Sequence, residues 1–279
     1  MRVLIEKNQV SMSRRAARII ADVVRRKPNA VLGLATGSTP IGAYRALVQI
    51  AGEEGLDFSE VTTFNLDEYE GIPAGHPQSY RAFMHKHLFD DLQEFGLQED
   101  RTYLLNGMPQ NYEQECEEFE EKIRECGGVD LQLLGVGGDG HIAFAEPGSS
   151  LGGRTSLVAL HPQTISDNAR FFDRPDEVPR RALTMGVGTI LESRACLILA
   201  SGPGKADVWA KMIEGPVTSQ ITASALQLHP HVVALSDREA ASKLQNWAYY
   251  MHVAEELADQ PLFPESLFEG RQPVRRRKK

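Results

Sequence analysis

Leu131-Gln132-Leu133-Leu134-Gly135-Val136-Gly137-Gly138-Asp139-Gly140-His141-Ile142-Ala143-Phe144-Ala145-Glu146 holds, in sixteen residues, a strand and the loop that a ligand at its end would meet. Leu131 to Val136 is a short apolar run, the pattern of a strand covered on both faces inside a parallel sheet. Ligands of such sheets bind beyond the carboxyl ends of the strands, which is where the loop begins. Gly135, Gly137, Gly138 and Gly140 are expected to allow positive φ and a close approach of backbone to a small molecule. Asp139, His141 and Glu146 are three titratable groups on a loop with few other side chains, and histidine is the residue that exchanges a proton near neutrality. A glycine turn does not need Asp-Gly-His followed by Glu, so the stretch points to proton transfer.

Outward from this loop the chain repeats strand, then helix. Strands are expected at Arg2 to Glu6, Ala30 to Ala35, Val61 to Leu66, Ala195 to Ser201 and His231 to Leu235. Helices are expected from Ser13 to Lys27, where Ala16, Ile19, Ile20, Val23 and Val24 share a face, and near 40–52, 79–89, 111–126, 204–213 and 237–257. This alternation predicts a doubly wound α/β fold: a mostly parallel central sheet, Rossmann-like, with helices on both faces. No internal repeat or long linker interrupts it, so residues 1–260 are read as one domain and 261–279 as a tail with a disordered basic end, Arg275 to Lys279. Glu146 to Pro179, rich in glycine and proline, is the least regular stretch and is expected to form a lid over the site.

Composition narrows the class. Hydrophobic residues at 42% and charged residues at 24% describe an ordinary globular protein, and a net charge of -8 argues against general nucleic-acid binding. No apolar run approaches the ~18 residues of a membrane span, and no targeting signal is visible. Cys116, Cys126 and Cys196 are odd in number and form no close pair, which gives neither a disulfide framework nor a zinc site and implies a cytoplasmic protein.

Three other strand ends carry chemistry. Thr36-Gly37-Ser38-Thr39-Pro40 reads as a helix start in which Ser38 or Thr39 is the cap and Pro40 sits in the first turn, with free N–H groups suited to an anion. Gly202-Pro203-Gly204-Lys205 puts a lysine in the first turn of a helix, where the helix dipole disfavours a cation by about 0.3–1 kcal/mol unless an anion faces it. Together they form the positive wall that an acidic substrate such as a sugar phosphate needs. Asp67-Glu68 ends the strand from Val61, and because successive strand residues face opposite ways only one enters a cleft; Asp67 is chosen as the general base. His85 and His87, two apart on a helix, face different ways and do not make a metal pair; His229 and His231 flank Pro230 in a helix-to-strand turn.

Val61-Thr62-Thr63-Phe64-Asn65-Leu66-Asp67-Glu68-Tyr69, the Gly135 to Phe144 loop, Ala169-Arg170-Phe171-Phe172, Ala182 to Thr189 and Ser224 to Pro230, in this order, resemble the glucosamine-6-phosphate deaminase family from near Met1 to about residue 250. The resemblance implies conversion of glucosamine 6-phosphate to fructose 6-phosphate and ammonia by acid/base catalysis through an enediol-type intermediate, without metal or cofactor. It further implies a small-molecule sugar phosphate as partner and a homo-oligomeric state anywhere from monomer to hexamer. By the same resemblance, Asp67 moves the proton between C2 and C1, and His141 opens the sugar ring. Asp139 and Glu146 orient and charge that histidine. Gly37, Ser38, Thr39, Arg170 and Lys205 hold the phosphate.

The chain departs from the family pattern at four places. Gly138 stands where a polar residue is usual and Ala145 where Asn is usual, which removes hydrogen-bonding capacity near the substrate. Ser156 and Val158 stand where bacterial members activated by N-acetylglucosamine 6-phosphate carry basic residues, so this allosteric anion site is expected to be lost or rebuilt, although Ser149, Ser150 and Arg154 match. An amino-sugar phosphate epimeric at C4, galactosamine 6-phosphate, remains open as substrate. A 6-phosphogluconolactonase shares the fold and a similar elbow, but favours Asp-Glu-Arg where this chain has Asp67-Glu68-Tyr69. A sugar-phosphate sensor with impaired catalysis is the third class, and the intact Asp67 and His141 count against it.

Overall fold

The structure is a computed structural model and describes residues 1–172, 174 and 177–269. β1 (Arg2–Glu6) leads into α1 (Gln9–Arg26), and β2 (Val31–Leu34) into α2 (Ser38–Glu54). β3 (Thr62–Asn65) runs on through Leu66 into β4 (Asp67–Tyr69). A broken helix follows: α3 (Tyr80–Met84), a π turn at His85–Phe89, and α4 (Asp90–Gln93). Next come β5 (Thr102–Tyr103), α5 (Tyr112–Glu125), β6 (Leu131–Gly135), β7 (Ser156–Ala159) and α6 (Pro162–Asn168). β8 (Arg181–Thr184), α7 (Val187–Leu191), β9 (Ala195–Ala200), α8 (Ala206–Glu214), β10 (Val232–Asp237) and α9 (Trp247–Glu256) complete the order.

Seven strands form one sheet in the order β1-β10-β9-β6-β2-β3-β5, and every pairing in it is parallel. The chain runs outward from β2 through β3 to β5 and then returns to place β6 on the other side of β2. The gap between β2 and β6 is therefore the topological switch point, where the loops after two adjacent strands diverge and leave a crevice. One sheet face packs α1 and α2 through Met12, Ile20, Tyr44 and Leu47, and the other packs α5 and α8 through Phe119, Ile123, Trp209 and Met212. Each such fully covered side chain contributes about 1.5–3 kcal/mol.

The expected helices at 40–52, 111–126 and 204–213 correspond to α2, α5 and α8, and all six expected strands are present with ends shifted by a residue or two. α1 starts at Gln9 rather than Ser13 because Asn8 and Ser11 form a reciprocal capping box, with the Ser11 N–H on Asn8 Oδ1 at 2.9 Å. The expected helix at 237–257 is reduced to α9. The Asp237 carboxylate accepts the Ala240 N–H at 2.8 Å and the Gly202 N–H at 3.0 Å, and this holds the chain after β10 in a turn.

The largest difference lies in the expected lid. Residues 146–179 supply β7 and α6, and β7 joins β8 and β4 in a second, antiparallel sheet of order β4-β8-β7. The pairing is long-range, so a local pattern does not announce it. Under this sheet Tyr69, Phe144, Leu160 and Ala182 form a separate apolar cluster. Chain packing continues past residue 260, with Phe263 and Phe268 buried in the α1 layer. The basic end lies outside the described residues. Among them no helix is long and apolar enough to cross a membrane.

Candidate active site

Leu66 carries the chain from the large sheet to the small one: its N–H reaches Leu34 O of β2 at 3.2 Å and its C=O accepts Met185 N–H at 2.7 Å. Asp67 follows at once, opposite Thr184 of β8. The Thr184 hydroxyl in turn accepts the Phe144 N–H at 3.0 Å, which draws the glycine elbow after β6 against the strand of Asp67. Two carboxylate-bearing segments far apart in sequence, that of Asp67 and that of Asp139 and Glu146, are thus drawn together by Thr184.

His141 sits with its ring over Gly137: a Cβ there would lie 2.4 Å from both Cε1 and Nε2, so only glycine allows the ring its place. Of the four glycines expected to need positive φ, Gly140 alone has it, at 97°. His141 Nδ1 lies 2.7 Å from Asp139 Oδ1 and 3.2 Å from Glu146 Oε2. Both contacts are off the ideal hydrogen-bond direction, since Nδ1 and Oε2 are buried without a well-aligned partner. Glu146 is fixed on its other oxygen by the His161 N–H at 3.1 Å, a contribution from the segment before α6.

Electrostatics follow from this packing. Burial opposes charge on His141, yet the two carboxylates overcome it and the imidazole titrates at about 9. Burial likewise works against ionised Asp139, but the His141 contact outweighs it and brings the carboxyl down to about 2. Glu146 is also held below its ordinary value, the gain from His141 and Thr164 exceeding the cost of burial. Asp67 behaves oppositely. It is 6% exposed, and burial, reinforced by the Glu68 charge and only partly offset by His141, pushes it up to about 8. A carboxyl poised near neutrality beside an imidazolium is an acid/base set tuned for proton transfer.

Glu68 faces away from the crevice, as strand alternation requires. Its carboxylate accepts the Tyr69, Tyr80 and Arg81 N–H groups and so closes the start of α3. That contact places Tyr80 on Phe144, with ring centroids 6.2 Å apart and nearly parallel.

A cavity of about 740 Å³ opens beside the elbow, lined among others by Ser38, Thr39, Gly138, Arg170 and Lys205. The cap of α2 differs from the expected one: Gly37, at φ 91°, is the N-cap, no side chain caps the helix, and Ser38 and Thr39 are its first two residues. A positive-φ glycine lets β2 turn directly into the helix, and the first N–H groups of α2 are left for an anion. Lys205 is the N-cap of α8, following a single turn at Pro203–Lys205. It lines the cavity beside Asp167, and burial lowers its pKa, partly countered by Asp167 and Asp139. Arg170 is exposed at the rim, its guanidinium 4.7 Å from the Phe171 ring centroid.

The residues that hold these groups in place were not legible in sequence: Thr184, Glu68, His161, Thr222 and Asp237 act through long-range hydrogen bonds. His85 Nδ1 meets Asp90 at 2.8 Å while His87 packs on Phe83, and buried His229 meets Ser193 O at 2.7 Å. The ligand atoms of Asp139, His141 and Glu146 lie within 4.8 Å of one another, a spacing open to a divalent ion. A protonated imidazole between the two carboxylates offsets one of their two negative charges.

The fold is of the parallel α/β class, and at its switch point titratable groups gather near a helix start with free N–H groups. Residues 6–234 match the family model described as glucosamine-6-phosphate isomerases/6-phosphogluconolactonase. Glucosamine-6-phosphate deaminase of Clostridium perfringens (strain SM101) is 46% identical over 245 residues, covering 88% of this chain and all of the relative. That of Halothermothrix orenii is 49% identical over 244 residues, again 88% of this chain and 100% of the relative. A solved monomeric glucosamine-6-phosphate deaminase superposes with TM-score 0.84 at 45% identity, over 87% of this chain and 100% of that one. The chain belongs to the glucosamine-6-phosphate isomerase/6-phosphogluconolactonase family. A 6-phosphogluconolactonase from Trypanosoma cruzi, at 20% identity and TM-score 0.68 over 88% of this chain and 97% of its own, shares the fold.

Proposed function

We propose that this protein is a glucosamine-6-phosphate deaminase, acting in amino-sugar metabolism in the cytoplasm, which turns glucosamine 6-phosphate and water into fructose 6-phosphate and ammonia. The phosphate enters the cavity at the start of α2, against Gly37, Ser38 and Thr39, with Lys205 and Arg170 as cations. Phosphate on a helix N-terminus gains from both the free N–H groups and the dipole. His141, charged through Nδ1 by Asp139 and Glu146, presents Nε2 to the sugar and donates a proton to the ring oxygen as the C1–O5 bond breaks, and the C1 hydroxyl gives up its proton to water, leaving the open-chain aldehyde. Asp67, in its ionised form, removes the proton on C2, which the C1 carbonyl acidifies. The electron pair forms a C1–C2 double bond, the carbonyl pair moves onto O1, and O1 takes a proton from water, giving an enediol-type intermediate with the amine on C2. Asp67 returns the proton to C1, leaving an imine at C2 that water hydrolyses to the ketone with release of ammonia.

The observation that carries the reading is that the Thr184 hydroxyl holds the elbow of His141 against the strand of Asp67, while Gly138 of the same elbow lines a cavity shared with Ser38, Thr39 and Lys205. A proton carrier with a pKa near the working pH is the efficient one. The high identity to deaminases along nearly the whole chain supports the same substrate. Gly138 leaves open space on the cavity wall, with nothing within 4 Å of a Cβ built there, which keeps galactosamine 6-phosphate as the second candidate. Ammonia release is measured with both sugars, with and without N-acetylglucosamine 6-phosphate. Release from glucosamine 6-phosphate is expected, and release from neither sugar defeats the proposal. Arg154, which matches the regulated members, is engaged by Glu120 and by Glu192 at 2.7 Å, so no activation by the acetylated sugar is expected.

A further inference from the structure

We propose that Thr222 is a positioning residue for the acid/base loop: its single hydroxyl ties Ile142 to Ala145 across a strained residue and thereby fixes where Glu146 meets His141. Thr222 is fully buried and lies in the segment between α8 and β10, far from the loop in sequence. Its Oγ1 accepts the Ile142 N–H at 3.3 Å and donates to the Ala145 carbonyl at 2.7 Å. Between those two residues stands Ala143, at φ 52° the sole non-glycine residue with positive φ among the described residues. Left-handed backbone at alanine persists only where its surroundings impose it, and strain of this kind gathers at functional sites.

The hydroxyl acts within a larger template. The Ala223 N–H donates to Gly140 O at 3.0 Å and Ser219 O accepts the Gly148 N–H at 2.8 Å, so residues 219–223 grip the elbow on both sides of His141 and Glu146. The template is itself stiffened, because Ser224 Oγ accepts the Thr218 N–H at 2.8 Å and donates to Thr218 O at 3.1 Å. Glu146 is the residue after Ala145. A turn released at Ala145 carries the Glu146 carboxylate away from Nδ1, which it now meets at 3.2 Å. The charged groups facing His141 are Asp139 and Glu146 on its own loop and Asp67 on β4, with Lys205 acting through Asp139. Of these, Glu146 is the one whose position depends on the Thr222 hydroxyl.

The test compares Thr222→Val, which keeps the shape and removes both hydrogen bonds, with Thr222→Ser, which restores them. His141 titration is read by NMR of the ring in the free enzyme, alongside the pH profile of kcat/KM. Thr222→Val is expected to lower the His141 midpoint by about one unit, as loss of one nearby opposite charge does. It also reduces kcat by roughly 10- to 100-fold, the scale of a small misplacement of a catalytic group, with little change in KM. Thr222→Ser recovers both. A Thr222→Val protein with lowered melting temperature but an unmoved His141 midpoint overturns the proposal, as does a Ser variant that behaves like Val. Should the Val variant not fold alone, Ala143→Gly is added to relieve the turn; the double variant is expected to fold and still show the lowered midpoint, and a normal midpoint there also overturns it. The rate arm rests on the deaminase reading, whereas the titration arm does not. A protein without deaminase activity and with a shifted midpoint therefore refutes that reading alone.

Discussion

Replacing Asp67 by Asn should make the protein more stable at alkaline pH while abolishing its chemistry. In the folded chain burial and Glu68 raise the Asp67 carboxyl from 3.8 to about 8. The unfolded chain ionises it near its ordinary value. Between those two pH values the folded state binds the extra proton, so raising the pH favours unfolding, and the penalty is complete above about pH 8. At 1.36 kcal/mol per pKa unit the full shift is worth about 6 kcal/mol, an upper figure because other groups relax as Asp67 ionises, and about 2–6 kcal/mol is expected. Asn carries no such term. Urea unfolding of both proteins at pH 4 and pH 9 should therefore give nearly equal stabilities at the lower pH and an Asn variant more stable by that margin at the higher one. Parallel stability curves for the two proteins between these pH values would refute the account of Asp67 as a carboxyl buried against its own charge.

Other consequences follow from the same geometry. The pH profile of kcat/KM should rise through about 8 as Asp67 ionises and fall above about 9 as His141 loses its proton, and a profile flat from pH 6 to 10 contradicts the assignment of the pair. Lys205→Met should raise KM for the sugar phosphate and the inhibition constant of inorganic phosphate roughly 10- to 100-fold, the worth of one hydrogen bond to a charged group, with kcat nearly unchanged. A variant that lost kcat instead would place Lys205 at the reacting carbons. Ala143→Gly, which removes the strain of φ 52°, should stabilise the fold by about 1 kcal/mol, visible as a rise of roughly 2–4 °C in melting temperature; a fall would mean that the turn is unstrained.

The large sheet was legible because its strands are covered on both faces and therefore read as apolar runs of their own, from Leu131 to Gly135 and from Ala195 to Ala200. The small sheet was not. Asp67-Glu68-Tyr69 and Ser156 to Ala159 have no strand pattern that stands out locally, and they pair only because β8 lies between them. The groups proposed to react could be singled out in sequence because each is an unusual residue type at a strand end. Their supports stayed hidden: a threonine such as Thr184 or Thr222 is an ordinary residue until the fold brings its hydroxyl to a loop tens of residues away. The helix cap at α2 was misread for a related reason. Ser38 and Thr39 have the right side chains for an N-cap, but the positive φ of Gly37 sets the geometry.

Glucosamine 6-phosphate carrying deuterium on C2 tests the central claim most directly, with wild-type protein and Asp67→Asn compared by NMR. Wild-type protein should release one ammonia per fructose 6-phosphate and move or wash out the C2 deuterium during turnover. Asp67→Asn should do neither while binding inorganic phosphate as tightly as before. Exchange of the C2 position by the Asn variant, or loss of phosphate binding without loss of exchange, would show that Asp67 is not the base.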